Sequence, residues 1–179
     1  MLRNSRHRPL RFLSAAYVEF IRNTPFLIQL FFIFFGLPSL GLKLTAGQAA
    51  LITMVVNLGA YATEIVRAGI EAVHRGQIEA GLSLGLNRLQ VFRHIIFLPA
   101  LEKVYPALSS QLVFSMLGSS VVSQISAEDL TFAANFIQSR NFRSFETYFI
   151  ITAMYLAMAV GFRSVLDRIG ARAFAWRRP

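Results

Sequence analysis

The sequence contains no cysteine and little charge for its length. Without cysteine, disulfide bridges, thiolate metal sites and cysteine nucleophiles are excluded. Charged residues make up 15% of the 179 residues, whereas soluble domains carry about 25%. The three histidines, His7, His74 and His94, are scattered and match no metal-ligand spacing. The sequence therefore does not favour a metal site.

Hydrophobic residues, by contrast, are abundant. They make up 55% of the chain and include 17 phenylalanines, and the mean hydropathy is +0.51. This composition excludes a disordered chain and indicates a membrane protein. A pI near 11.0 is also typical of nucleic-acid binding. The basic residues, however, bracket apolar stretches and form no single stripe, so we expect no nucleic-acid partner.

Four stretches of the chain carry no charged residue: 23–42, 44–63, 104–127 and 147–162. At about 1.5 Å per residue, the first three cover a hydrocarbon core of roughly 30 Å, and the fourth needs a few flanking residues. We predict an all-α, polytopic membrane protein that forms a single domain over residues 1–179. The predicted spans are about 25–42, 45–64, 105–125 and 145–163.

The ends of the first span carry boundary signals. Asn23 or Thr24 is expected to cap the helix, and Pro25 suits its first turn. Pro38 and Gly41 are expected to end it.

The distribution of positive charge predicts the orientation. Of the 18 lysines and arginines, all but Lys43, Arg140 and Arg143 lie in the two termini or in the connection between the second and third spans. Basic segments stay in the cytoplasm, so both termini and this connection are predicted to be cytoplasmic. The arginine-rich first 22 residues are interpreted as an interfacial segment that contacts membrane lipid, because the apolar run after them is too long for a signal peptide.

The long cytoplasmic connection, about 65–104, has a helical pattern of its own. Residues 77–84 can form about two turns, and Gly85 supplies a left-handed stop. Asn87 and Gln90 have the spacing of a capping box that starts a second, longer helix. The pattern predicts a short helix, a sharp corner and a longer helix.

The short helix is expected to dock on another protein, because a helix of two turns is not stable alone. Ala80, Gly81 and Gly85 remove side-chain bulk, so another backbone could approach closely. The alternative is a simple corner in which Glu79 is a solvated charge.

These residues resemble a known motif. Glu79-Ala80-Gly81, followed by Gly85, is similar to the EAA loop of the permease subunits of bacterial ABC importers, although position 81 is Gly where that motif has Ala. Other segments resemble the polar amino acid (His/Glu/Gln/Arg/opine) branch, and together they extend the resemblance over nearly the whole chain. They are Glu19 to Pro25, Gln29 to Phe32, Gly85 to His94, Ile137 to Arg140, and Phe145-Glu146.

The resemblance implies a type I ABC importer-like fold in the bacterial inner membrane and a chain that is not itself an enzyme. It implies no cofactor, because ATP is bound by a separate dimer of ATP-binding cassette subunits. Further implied partners are a second permease subunit, identical or related, and a periplasmic or lipid-anchored amino-acid-binding protein. Glu79, Ala80, Gly81 and Gly85 are the residues implied to contact the ATPase.

Family members commonly have five spans, and this chain begins where their first cytoplasmic loop would be. The expectation is therefore that the family's first span is absent here, through either a misassigned start or a shortened, impaired subunit.

Polar residues within two spans suggest a substrate path, because polar groups are costly in hydrocarbon. Thr53 and Asn57 share one face of the second span with Tyr61 and Glu64. The third span carries Gln111, Ser115 and Ser119. The alternative is hydrogen bonding between packed helices.

Two other functions fit the sequence less well. A membrane-embedded enzyme is disfavoured, because none of the charge-free stretches contains an acid or a histidine. An ATP-independent channel or secondary transporter remains the alternative, although it gives no reason for a docking helix.

Overall fold

The computed structural model describes residues 8–175, and every regular element in that range is helical. The helices are α1 (Arg8–Arg22), α2 (Phe26–Ser39), α3 (Ala46–Glu71), α4 (Arg75–Ser83), α5 (88–125), α6 (Leu130–Asn141) and α7 (Ser144–Ala173). Helix α2 includes a π-helical stretch, Phe32–Gly36. Helix α5 joins Arg88–Gln90, the π-helical Val91–Phe97, Leu98–Gly118 and the 3-10 helix Ser119–Ile125 without a break.

Helix α5 is longer than the predicted third span. It starts at residue 88 and passes through Pro99 and Pro106 without ending. A proline lacks the N–H that an α-helix needs, and the wide π turn of Val91–Phe97 ends two residues before Pro99. The last part of the predicted connection, from residue 88 onward, and the predicted third span are therefore parts of one helix.

The predicted cap of the first span is wrong. Pro25 is the N-cap residue of α2, and no side chain caps this end. Instead, Thr24 Oγ1 donates to Phe20 O at 2.8 Å, and Asn23 Nδ2 donates to Glu19 O at 2.8 Å. The two side chains thus donate hydrogen bonds to carbonyl groups at the end of α1, a helix that was not predicted from the sequence.

Helices α1 and α2 meet at an angle of 109° and both pack on α3. Tyr17 Oη donates to Val56 O at 2.6 Å, and the Arg22 guanidinium lies 5.6 Å from the Tyr61 ring centroid. Residue numbers increase together along both helices from the first contact to the second, so α1 runs in the same direction as α3. Helix α2 returns alongside α3 in the opposite sense, with Asn57 bonded to Gln29.

An apolar core joins α2, α3 and the 3-10 end of α5. Its buried residues are Leu30, Ala49, Ala50, Val122, Ile125 and Ala127. Outside this core, many large apolar side chains are exposed, and Phe149 and Leu156 of α7 are 68% and 64% accessible. Such exposure suits a protein whose solvent is lipid.

Two of the described helices, α3 and α7, are long and apolar enough to cross a membrane, and α1 with α2 adds a third if the bent pair is one span. Helix α5 is more polar, with Glu102 and Lys103 near its α-helical start and Gln111 farther along. The four spans remain a prediction.

Glycines allow the long helices to pack closely. A Cβ atom at Gly69 of α3 would collide with the Val104 side chain of α5, and one at Gly170 of α7 would collide with the Tyr105 ring. The Tyr105 hydroxyl also donates to Leu166 O at 2.6 Å. These contacts join α3, α5 and α7 near the ends of α3 and α7 that carry Glu71 and Arg172.

We expect Gly69→Ala to lower the unfolding temperature of the purified protein, because overpacking typically costs about 1–3 kcal/mol. Gly47→Ala in the same helix is the matched control, since nothing lies within 4 Å of a Cβ atom there. The control should leave the unfolding temperature unchanged or raise it, because alanine favours the helix. Equal effects of the two substitutions would contradict the packing assigned to Gly69.

Candidate docking corner and membrane cavity

The predicted corner is formed by local hydrogen bonds. Gly85 has a φ of +82°, a left-handed conformation that glycine adopts without strain. Leu86 N donates to Gly81 O at 3.1 Å and Gly85 N to Leu82 O at 3.0 Å, which is the Schellman arrangement. Asn87 and Gln90 then exchange two hydrogen bonds of 2.9 Å, as a capping box requires. The predicted sequence of short helix, corner and longer helix is confirmed.

Glu71 and Arg75 have the four-residue spacing of an ion pair on one helix, but this pair is not formed. Helix α3 ends at Glu71 and α4 begins at Arg75, so the two residues are not on one helix. Glu71 pairs instead with Arg67, four residues earlier on α3.

The four residues that the family resemblance assigned to the ATPase contact differ in their surroundings. Gly81 is buried, and a Cβ atom there would collide with Ile95 and approach Val91 at 3.4 Å. Its small size therefore lets α4 fold against α5 of the same chain. Glu79, Ala80 and Gly85 are exposed.

Leucines are exposed at the corner, and Leu84 and Leu89 among them were not expected from the sequence. Leu82, Leu84 and Leu89 are 48%, 82% and 74% accessible. They surround the left-handed Gly85, and apolar residues beside a turn glycine were the signal that could have revealed them. With Glu79, they form an exposed surface around the corner.

A cavity of about 460 Å³ lies between the start of α2, α3 and α5. Its polar lining residues are Thr24, Asn57, Tyr61, Gln111 and Ser115, and its apolar lining includes Pro25, Phe26, Met54 and Phe114. In the part of the chain that the structure describes, no charged side chain lines it. Both predicted polar faces contribute to it.

Three of the five predicted path residues, Asn57, Gln111 and Ser115, line this cavity. Thr53 does not, because it is fully buried, donates to Ala49 O at 2.7 Å and faces a separate apolar cavity beside α2. Ser119 does not line it either and donates to Met116 O at 2.7 Å. At Ser119 the helix becomes a 3-10 helix, which has fewer residues per turn. Ser119 therefore does not lie on the same face as Ser115, although the two are four residues apart.

The polar residues that line the cavity differ in their hydrogen bonds, and Thr24 is bonded to Phe20 O and to Gln29 Nε2. Within residues 8–175, the side chains of Tyr61, Gln111 and Ser115 have no hydrogen-bond partner, and Asn57 has only Gln29. The alternative, packing of the helices through polar residues, would require hydrogen bonds between the predicted polar faces of α3 and α5. Within residues 8–175, no such bond is formed. Polar groups that face a membrane cavity without partners are suited to bind a polar solute.

Charged side chains cluster beyond the cavity on α3. Arg67 Nε donates to Glu64 Oε2 at 3.0 Å and Arg67 also pairs with Glu71, while Arg22 of α1 lies 3.6 Å from Glu64. Glu64 was predicted on the same face as Asn57, but it faces these arginines and does not line the cavity. The cluster ties the end of α1 to α3.

Comparison with known proteins identifies the family. Residues 1–174 match the family described as binding-protein-dependent transport system inner membrane component. The chain is 36% identical over 153 residues to a probable glutamine ABC transporter permease protein, GlnM, of Bacillus subtilis (strain 168), covering 86% of this chain and 71% of that protein. It is 34% identical over 161 residues to the glutamine transport system permease protein GlnP of Escherichia coli (strain K12), covering 89% and 74%.

A solved structure agrees in fold. A chain of the crystal structure of an amino acid ABC transporter with histidines superposes with a TM-score of 0.88 at 37% identity, and the match covers 96% of this chain and 80% of that chain. The predicted all-α, type I importer-like fold is confirmed. The chain belongs to the family of binding-protein-dependent transport system inner membrane components, and it is a permease subunit of an ABC importer.

Proposed function

We propose that this permease forms the membrane path of an ATP-driven amino acid importer and transmits the movement of its ATPase to that path. One observation carries the proposal: α5 is a single helix that begins at the docking corner and reaches the cavity. From residue 88 to Gln111 it spans about 35 Å at 1.5 Å per residue. A displacement of the corner would therefore move one wall of the cavity.

The exposed corner is the proposed ATPase contact, with Glu79, Ala80 and Gly85 at its surface and Gly81 supporting it from within. The exposed leucines around it supply apolar area that a partner can bury. ATP would be bound and hydrolysed by a dimer of separate cassette subunits. A second permease chain, identical or related, and an amino-acid-binding protein outside the membrane would complete the transporter.

The proposed orientation places both termini and the corner in the cytoplasm. All but three of the 18 lysines and arginines lie on that side, as basic segments do in inner-membrane proteins. Helix α6 and its flanking residues, with Lys43 in the other outer connection, would then face outward. This is also the face to which an external binding protein would deliver its cargo.

An amino acid is the proposed cargo. The relatives named above are glutamine permeases, and the solved neighbour is an amino acid transporter. The cavity is large enough for one amino acid and offers uncharged hydrogen-bonding groups from α3 and α5.

Reversing the charge at the corner is expected to uncouple the transporter. Glu79→Arg should lower ATP-driven uptake in proteoliposomes at least tenfold while ATP hydrolysis continues, because the exposed carboxylate makes no hydrogen bond or ion pair within residues 8–175 and is free to contact a partner. Asp167→Arg is the control, since Asp167 is also exposed but lies on α7. Wild-type uptake with Glu79→Arg would discard the corner as the coupling contact.

Two serines on α5 test the cavity. We expect Ser115→Ala to weaken binding of the tightest-binding standard amino acid about 3- to 10-fold, the usual value of one hydrogen bond. Ser119→Ala should leave binding unchanged, because the Ser119 hydroxyl donates to its own helix. Affinity is measured with labelled amino acids on the permease–ATPase complex without binding protein. Equal effects of both substitutions would count against the cavity as the path.

A further inference from the structure

Gln29 is a buried amide at the bend between α1 and α2. Only 7% of the residue is accessible. Its Nε2 atom lies 2.7 Å from Ile21 O, 3.0 Å from Thr24 O and 2.8 Å from Thr24 Oγ1. Because carbonyl oxygens only accept hydrogen bonds, the atom that faces them must be the amide nitrogen. The end of α1 therefore fixes which way the Gln29 amide is turned.

This orientation determines that of Asn57 on α3. With its nitrogen bound to α1, Gln29 presents Oε1 to Asn57, and the Asn57 atom 3.0 Å away must be the donor, Nδ2. The Asn57 carbonyl oxygen, Oδ1, then has no hydrogen-bond partner within residues 8–175. It is not a buried unsatisfied atom, and Asn57 lines the cavity.

We infer that Gln29 is a positioning residue, which holds the Asn57 amide so that the cavity receives a hydrogen-bond acceptor and not a donor. Without Gln29, the Asn57 amide could turn over and present its NH₂ group. The acceptor selects a cargo N–H group, from an ammonium or an amide. The inference rests on the proposed function, because it requires that cargo occupies this cavity.

The surroundings of the acceptor explain why its orientation matters. No charged side chain lines the cavity in the described part of the chain, so cargo is held by hydrogen bonds and not by ion pairs. If a cargo N–H group faced another donor in such a site, it would lose its hydrogen bond to water without gaining a new one. Leaving a desolvated donor unpaired costs binding free energy. The direction of one amide therefore affects affinity.

A double-mutant cycle tests whether Gln29 acts through Asn57. Dissociation constants are measured on the permease–ATPase complex without binding protein, with the standard amino acid that the wild type binds most tightly. We expect Asn57→Leu and Gln29→Met each to weaken binding about 3- to 10-fold. The double variant should bind no more weakly than the weaker single variant, because both changes remove the same acceptor. Additive effects would overturn the inference.

Two further substitutions separate positioning from packing. Gln29→Glu should bind within about twofold of wild type, because a buried carboxyl group stays protonated and can donate to Ile21 O while it accepts from Asn57. Gln29→Asn keeps an amide but is too short for both contacts, so it should weaken binding as much as Gln29→Met does. If Gln29→Met does not fold, Gln29→Asn provides the test of the positioning role. Wild-type affinity for Gln29→Asn, or equal losses for Gln29→Glu and Gln29→Met, would overturn the inference.

Ser115→Ala distinguishes this inference from the proposed function. If none of the standard amino acids binds the complex, or if Ser115→Ala has no effect, the cavity is not the cargo site and both fail. If Ser115→Ala weakens binding while Gln29→Met and Gln29→Asn do not, only the role of Gln29 fails.

Discussion

The close packing of α3 against α5 is the contact on which the rest of the structure depends. Gly69 gives Val104 the room to lie against α3. In one direction from this contact, the two helices supply Asn57 and Gln111 to the cavity. In the other direction, both lead to α4 and its corner at Gly85. Because close-packed helices move as units, this one interface connects the exposed corner to a polar cavity.

Hydrogen bonding distinguishes structural polar residues from cavity residues. Thr53 and Ser119, which do not line this cavity, donate to backbone carbonyl groups nearby in the chain. Gln111 and Ser115 have no such partner within residues 8–175 and face the cavity. In a membrane, where unpaired polar groups are costly, this difference is physically meaningful. Gln29 links the two groups, because it bonds to the end of α1 and to Asn57, which lines the cavity.

Some features set by local interactions were predictable from the sequence, although the cap expected at Asn23 or Thr24 was not formed, and features set by distant contacts were not predictable. The left-handed Gly85 and the capping box at Asn87 depend on neighbouring residues, and both predictions were correct. Gln29 was missed as a partner of Asn57, because the two lie 28 positions apart. The inward position of Gly81 depends on how α4 folds against Ile95. Ser119 was misplaced because helical spacing cannot reveal a change to a 3-10 helix.

The central claim is that the corner at Glu79 faces the cytoplasm while α6 faces outward. The chain contains no cysteine, so a single introduced thiol can be labelled without background. A membrane-impermeant maleimide is added to intact cells that carry either Glu79→Cys or Glu128→Cys, both at exposed positions. The account predicts that position 128 is labelled in intact cells, whereas position 79 is labelled only after the cells are opened. Labelling of position 79 in intact cells would contradict it.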